Sequence, residues 1–549
     1  MTDSPKLWAR EVRATAALAL PLIGGQMTSM GMGVADVLLA GHLSAHVLGT
    51  VAVATAVYNI ANMAAVGVNA ALAPSVAQLD GKGARYLIGP LFRQALVVAF
   101  VLGLALMAFV YFGAPRLALL LGFSPDLSAD IGQFLRCISP AAPAVSLFYC
   151  CRGLSEGVSK PRPTMVIGLI GLMVLVPVGY VLMYAPFGNA PLGARGCAFA
   201  TVAACWVQVA AFVLWLRFSG QYRGLGLRSG PPGLDWGAIR GLLRVGIPMS
   251  VSLLLETSLF SAAGLAIGRF GETAAASHQV ALNVAAFSFM IPLGIAIATS
   301  VRVGNAAGRG DTAAVRRSGF VGMGLSVLAQ AFSGGLMLAI PGLIAGIYTS
   351  EPAVIAGGVL LLRIAGVFQL SDGLQVSAMG ALRGLKDTRV PMMITALAYW
   401  GIGFPLALIL AFTLDWQAAG MWTGLIAGLT VAAALLTARF VTLSKHMVRS
   451  AADSRLRQPV FPPAEASGAT LRLARNDAEA EPAARRVIPP DAASAVLGFR
   501  ARPRKQAGPA TGRRASDRAP SDRAPSDRAA SDRAANEDMQ ATNNESETN

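Results

Sequence analysis

Three acids stand where acids are costly. Glu256 lies in the middle of Val251-Ser252-Leu253-Leu254-Leu255-Glu256-Thr257-Ser258-Leu259-Phe260, and Asp36 and Asp372 interrupt two other apolar runs. A carboxylate in hydrocarbon costs several kcal/mol unless it faces a cavity or finds a partner. Glu256 is twelve residues from Arg244, and Asp372 is eleven from Arg383. At a helical rise of 1.5 Å per residue both sit roughly 17 Å from the same basic end, near mid-depth. Two carboxylates at one depth can hold a transient Na⁺, with Ser252, Thr257, Ser258, Asn283 and Ser371 as candidate neutral oxygens. They can equally share a proton, because close like charges raise one pKa. The bland alternative is an acid paired with an arginine or capping a broken helix. The sequence shows no Lys or Arg near mid-depth in these helices to serve as that partner. For Asp36 the alternative is a hydrogen-bonding residue near the interface.

The elements that hold these acids are membrane spans. The chain has 549 residues, 54% hydrophobic and only 13% charged, against about 25% charged in soluble domains. Apolar runs of roughly 20 residues fall near 14–40, 47–77, 90–113, 131–152, 163–185, 193–216, 241–267, 278–301, 318–347, 354–382, 390–413 and 417–440. The first is too long for a signal-peptide core and reads as the first span. Of the 29 Lys and Arg in residues 1–449, 24 fall on the side of the N-terminus and of every second loop. Only Arg116, Arg136, Arg195, Arg269 and Arg363 fall on the other. The positive-inside rule then puts both termini in the cytoplasm, with twelve spans between them. This bias accounts for the net charge of +16 without nucleic acid.

The chain also repeats itself. Pro21 and Pro248, Gly41 and Gly268, Gly67 and Gly294, Gly81 and Gly308, and Gly83 and Gly310 all stand 227 residues apart. Arg152-Gly153-Leu154 matches Arg383-Gly384-Leu385, and Pro177 matches Pro405, after small gaps. The expected fold is an all-α polytopic membrane protein with twelve transmembrane helices in two pseudo-symmetric six-helix lobes. The lobes are 1–217 and 240–449, with a cytoplasmic linker at 218–239. Residues 450–549, rich in Arg, Asp, Pro, Ala and Ser, are expected to form a disordered cytoplasmic tail.

Several functions are excluded by what the residues lack. The five cysteines show no CxxC and read as small core residues, and the four histidines show no metal spacing. Gly81-Lys82-Gly83 is not a phosphate loop, since Val76 stands at the first glycine position and no Ser or Thr follows the lysine. Energy must therefore come from an ion gradient, with no cofactor, and no enzymatic pair of nucleophile and base is visible.

Pro21 through Gly41 with Asp36 inside, Ala276-Ser277-His278-Gln279-Val280-Ala281-Leu282-Asn283, and Val301-Arg302-Val303-Gly304-Asn305 resemble the multidrug and toxic compound extrusion (MATE) transporters of the NorM-like branch. The similarity spans roughly 10–445. It implies a monomer of the bacterial inner membrane, among membrane lipids, exporting small organic cations against an inflow of Na⁺ or H⁺, with a slight lean to Na⁺. It also implies that Asp36, Glu256 and Asp372 bind and couple the cation. NorM-like relatives often carry two asparagines on helix five, where this chain has Leu175 and Gly179. They often carry a tyrosine one turn before the helix-ten acid, where this chain has Phe368, which keeps a ring face for cation–π contact. Met27, Met30, Met32, Phe260, Phe287 and Met290 are candidates for an adaptable apolar cavity wall; core or lipid-facing positions are the other reading. A lipid-linked saccharide flippase of the same superfamily is the alternative function.

Overall fold

The apolar runs become helices whose ends are set by proline, glycine and short polar caps. The computed structural model describes residues 5–113, 116, 124–185, 192–227 and 233–456. The first three spans are α1 (Pro5–Gly41), α2 (Ala45–Gly81) and α3 (Arg85–Gly113). The fourth, α4, comes in two pieces, Pro125–Ile138 and Ala141–Gly157. Then follow α5 (Arg162–Tyr184), α6 (Ala194–Phe218), α7 (Trp236–Gly268), α8 (Glu272–Arg309), α9 (Thr312–Ala339), α10 (Pro352–Gly384), α11 (Arg389–Thr413) and α12 (Gln417–Leu456). Eleven helices among the described residues are each long and apolar enough to cross a membrane, and the bent α4 makes twelve. Its two pieces meet at 46° because Pro140 lacks an N–H and cannot continue the helix. The run read as 318–347 breaks in the same way, at Pro341, into α9 and a short helix Pro341–Tyr348.

Local chemistry explains the boundaries. Asp235 caps α7, accepting hydrogen bonds from the N–H groups of Gly237 at 2.9 Å and Ala238 at 3.1 Å. Asp311 does the same for α9 through Ala314 N–H at 2.9 Å. Gly83 and Gly310 follow the ends of α2 and α8 with φ of +75° and +72°, a left-handed conformation that glycine adopts without strain. Their match across the repeat is thus a conformational requirement met twice.

The first lobe is built by α1–α6 and the second by α7–α12. One large apolar core draws on α2–α6 and another on α7, α8 and α10–α12, with Trp422 and Tyr399 wholly buried in the second. The stretch 218–239 is not a free connector. Tyr222 and Leu225 are buried in the first core, the Tyr222 hydroxyl lies 2.7 Å from Ser155 Oγ, and Gly89 N–H donates to Leu225 O at 2.8 Å. The helix α12 runs on to Leu456, past the 449 boundary expected for the second lobe. The rest of the expected tail, 457–549, lies outside the described residues.

The lobes meet through α1 with α8 and through α2 with α7 and α8. The repeat glycines make the approach possible. A methyl group on Gly67 would strike the Ser250 backbone, and one on Gly294 would lie 2.5 Å from Ile23 Cγ1. Ser250 and Ile23 are themselves 227 residues apart, so these are one contact made twice. Gly81 against Asn305 and Gly308 against Gln78 form a second such pair. Polar bonds reinforce the seam. Arg302 of α8 grips Glu11 of α1 with Nε–Oε1 at 2.9 Å and Nη2–Oε2 at 2.7 Å, and Gln78 Nε2 donates to Gly384 O at 2.9 Å. All these contacts lie toward the Lys/Arg-rich ends of the helices.

Candidate functional site

The three acids divide between two places. Asp36 is buried on α1 against α6, where Cys197 Sγ donates to Oδ1 at 3.4 Å and Thr201 Oγ1 donates to Oδ2 at 3.3 Å. The helix-five positions add nothing polar to it. Leu175 is wholly buried among Ala200 and Ala204, and a side chain at Gly179 would lie 2.8 Å from Leu39 Cδ1.

Glu256 on α7 and Asp372 on α10 both belong to the second lobe. Each lies within electrostatic reach of the other, and Asp372 is only 4% exposed. Among the described residues neither carboxylate has a hydrogen-bond or ion-pair partner, so neither is compensated in the way buried charges usually are. The side chains around them differ from those expected. Arg383, at the last turn of α10, lies within electrostatic range of Glu256 but forms no ion pair with it. The fully buried Tyr399 of α11 lies within reach of Glu256, Asp372 and Arg383. Gln375 is beside it, three residues beyond Asp372 on the same helix face. Gln375 Oε1, the Tyr399 hydroxyl and Arg383 Nε are all buried without a hydrogen-bond partner of good geometry.

Most of the neutral oxygens expected to serve the acids also make hydrogen bonds of their own. Ser252 Oγ donates to Pro248 O at 3.0 Å and Ser258 Oγ to Leu255 O at 3.1 Å. Asn283 accepts from Gln279 at 3.2 Å, and Ser371 pairs with Thr430 at 2.8 Å. Thr257 is half-buried beside Glu256 in sequence. Phe368 is 2% exposed and packed edge-on between Phe260 and Trp422, at 6.1 and 5.7 Å between ring centroids. Its ring therefore belongs to an aromatic core that includes His278, whose Nδ1 accepts from Trp422 Nε1 at 3.1 Å. Met27, Met30 and Met32 on α1 and Met290 on α8 are half-buried, and Phe287 is 58% exposed. Met27 and Met290 lie one turn beyond the Ile23–Gly294 contact, on the two helices it joins. Phe260 is tied into the aromatic core. Among the described residues no group of three or more His, Cys, Asp or Glu could hold a metal ion.

The comparisons with known proteins follow the same division. The MatE family model matches residues 21–181 and again 248–409, once in each lobe. This chain belongs to the MATE family. Like other members of the family, it is a secondary transporter and not an enzyme. It is 43% identical over 445 residues to "Probable multidrug resistance protein NorM" of Xanthomonas campestris pv. campestris, covering 81% of this chain and 97% of that protein. It is 35% identical over 444 residues to "Multidrug resistance protein PmpM" of Pseudomonas aeruginosa, covering 80% and 93%. The crystal structure of the eukaryotic MATE transporter AtDTX14 superposes with a TM-score of 0.74 at 21% identity, covering 81% of this chain and 99% of that one.

Within the MATE fold, the segments that carried the resemblance have structural jobs. His278 locks α8 to α12. Arg302 and Asn305 bridge the lobes, the latter to Ser159 Oγ at 3.3 Å. The transporter's two acid sites lie beyond the seam, not in it. Sequence spacing could have flagged Gln375, which shares a helix face with Asp372. Tyr399 left no such signal. It sits in a π-helical stretch, Leu397–Gly403, just before Pro405, and a proline widens the turn that precedes it.

Proposed function

We propose that this MATE transporter exports organic cations and related drugs in exchange for Na⁺ or H⁺, with Glu256 and Asp372 as the coupling site and Asp36 as a separate cation-responsive group. The observation that carries the reading is the uncompensated pair. Two neighbouring carboxylates, one nearly fully buried and neither with a donor, are stabilised when a cation or a proton joins them. Gln375 Oε1 and the Tyr399 hydroxyl are oxygens suited to sharing such an ion. Drug export is supported by the printed names of the NorM and PmpM relatives. The half-buried methionines and the exposed Phe287 of α1 and α8 suit an adaptable wall for varied apolar cations. The reading includes a monomer in the inner membrane with both termini cytoplasmic, the orientation that the lysine and arginine bias favours.

The decisive experiment is dye efflux from proteoliposomes under separate Na⁺ and H⁺ gradients. One of the two gradients should drive efflux of a cationic dye such as ethidium. Glu256→Gln and Asp372→Asn, at unchanged protein level, should reduce that driven efflux to the rate of empty liposomes. Gradient-driven efflux that survives in both variants would remove the coupling role.

A further inference from the structure

A cavity of about 530 Å³ opens at the Lys/Arg-rich ends of the helices, and none of the three acids lines it. Its size falls within the roughly 300–1,000 Å³ of small-molecule sites. Ala14, Ala17 and Pro21 of α1 give it an apolar wall. Lys160 and Arg162, from the turn between α4 and α5, give it a basic one, and Arg302 of α8 adds a group from the second lobe. No acidic side chain is among the described residues that line it. Arg302 is neutralised by its two bonds to Glu11. Lys160 and Arg162 are exposed, and among the described residues neither side chain has a hydrogen-bond or ion-pair partner. The cavity is therefore an apolar pocket with two uncompensated positive charges at its rim.

The basic turn is fixed in place. Ser159 has a φ of +60°, a conformation that residues with a side chain seldom adopt. Its N–H donates to Glu156 O at 2.8 Å, and the Lys160 N–H donates to Ser155 O at 2.9 Å. Ser155 Oγ donates to Lys160 O at 2.6 Å, and Asn305 Nδ2 of the second lobe donates to Ser159 Oγ at 3.3 Å. The turn 227 residues further on repeats this shape without its charge. Lys386 stands at the place of Ser159 and also has a φ of +60°. Asp387 stands at the place of Lys160, and it accepts from Arg439 Nε at 3.0 Å. The conformation of the turn thus does not require a lysine at 160.

We propose that this cavity is a binding site for the phosphate headgroup of an anionic phospholipid. The planar guanidinium of Arg162 can hold two phosphate oxygens at once, and the Lys160 ammonium supplies a point charge beside it. Basic pockets between helix ends suit such headgroups. The apolar wall selects a lipid over free phosphate. Ala17 and Leu20 share a face of α1, and Leu20 is 69% exposed, so the wall continues into a surface open to acyl chains. A phospholipid uses both the basic rim and this face, whereas inorganic phosphate uses the rim alone.

The test counts bound lipid by native mass spectrometry on the purified full-length protein in a nonionic detergent. The probes are dioctanoyl phosphatidylglycerol and dioctanoyl phosphatidylcholine. The wild type should bind the first about tenfold more tightly. Lys160→Gln/Arg162→Gln should bring the two lipids within about twofold of each other, and Lys160→Arg/Arg162→Lys should keep the preference. Equal binding in the wild type, or a preference that survives in the glutamine variant, would overturn the proposal. Ala17→Phe fills the apolar wall and leaves the charges in place, so it keeps the proposal testable if the glutamine variant misfolds. It should weaken phosphatidylglycerol binding about tenfold, and unchanged binding would count against the site. Inorganic phosphate in tenfold excess should leave the bound lipid in place. Full displacement would make this a site for free anions and overturn the lipid assignment.

Discussion

At the scale of single residues, burial decides which polar groups are structural and which are free to act. His278 is buried and accepts the Trp422 N–H at 3.1 Å, so its place is architectural. Trp422→Phe removes that donor and leaves a buried acceptor bare. It should cost about 1–3 kcal/mol, read as a lower melting temperature in detergent, with efflux retained in the folded fraction. Lys386 gives the opposite kind of case, in the loop between α10 and α11. Burial, and then the nearby charge of Lys82, push its ammonium down to about 8 from 10.5. The unfolded chain holds this proton more tightly, so the charged lysine lowers stability below pH 8. Stability should recover as pH rises from about 8 toward about 10.5. Lys386→Met should melt higher than wild type at pH 7 and lose the part of the rise that follows pH 8. A wild-type melting curve that stays flat across this window would contradict the assignment.

At the scale of helices, the repeat glycines act in pairs across the seam. Gly67 against Ser250 and Gly294 against Ile23 are equivalent contacts, so their substitutions should have equivalent effects. Gly67→Ala and Gly294→Ala force a methyl group into a closed backbone contact, where overpacking costs about 1–3 kcal/mol. Gly67→Ala should lengthen spin-label distances between α2 and α7, and Gly294→Ala those between α1 and α8. Gly335→Ala, where an added Cβ meets nothing within 4 Å, should leave them unchanged. Equal distances in all three variants would mean that the seam is not held by close approach. The prolines act as asymmetric devices within the same repeat. Pro140 breaks α4, whereas its counterpart α10 runs unbroken for 33 residues from Pro352 to Gly384. That continuity puts Asp372, Gln375 and Arg383 on one rigid element.

At the scale of the whole molecule, transport needs two lobes joined by contacts that can part. The glycine and Arg302–Glu11 contacts of the seam lie toward the basic helix ends, while the acids lie beyond them. Opening toward the basic side therefore requires Arg302 to leave Glu11 and the glycine contacts to separate, as alternating access demands. The chain beyond Leu456 lies outside the described residues. The NorM relative is covered over 97% of its own length by an alignment that uses 81% of this chain. A chain ended after Leu456 should keep ethidium efflux within about twofold of the full-length protein per molecule inserted. A tenfold loss would assign residues 457–549 a part in transport.

Membrane architecture was legible in the sequence because hydrocarbon imposes a length and a polarity on every span. That is why the twelve runs, the basic bias and the 227-residue repeat could be read from one chain. The acids stood out for the same reason, since a carboxylate breaks an apolar run. Their surroundings did not stand out. Hydroxyls close in sequence, such as Ser252 and Ser258, bond to their own helices, while Tyr399 comes from another helix and a widened turn. Arg383 marks the basic end by depth counting, and the structure puts it on the last turn of α10 with its Nε buried and without a hydrogen-bond partner. One-dimensional spacing gives the height of a residue along a helix. Which way its side chain points, and which partner is already taken, is decided by packing between helices. So the sequence by itself determined a two-lobed membrane protein with acids in its apolar runs, because hydrocarbon marks every span, and only the tertiary structure decided that Arg152 is paired with Glu156 while the Nε of Arg383 has no hydrogen-bond partner, because packing between helices sets which groups meet.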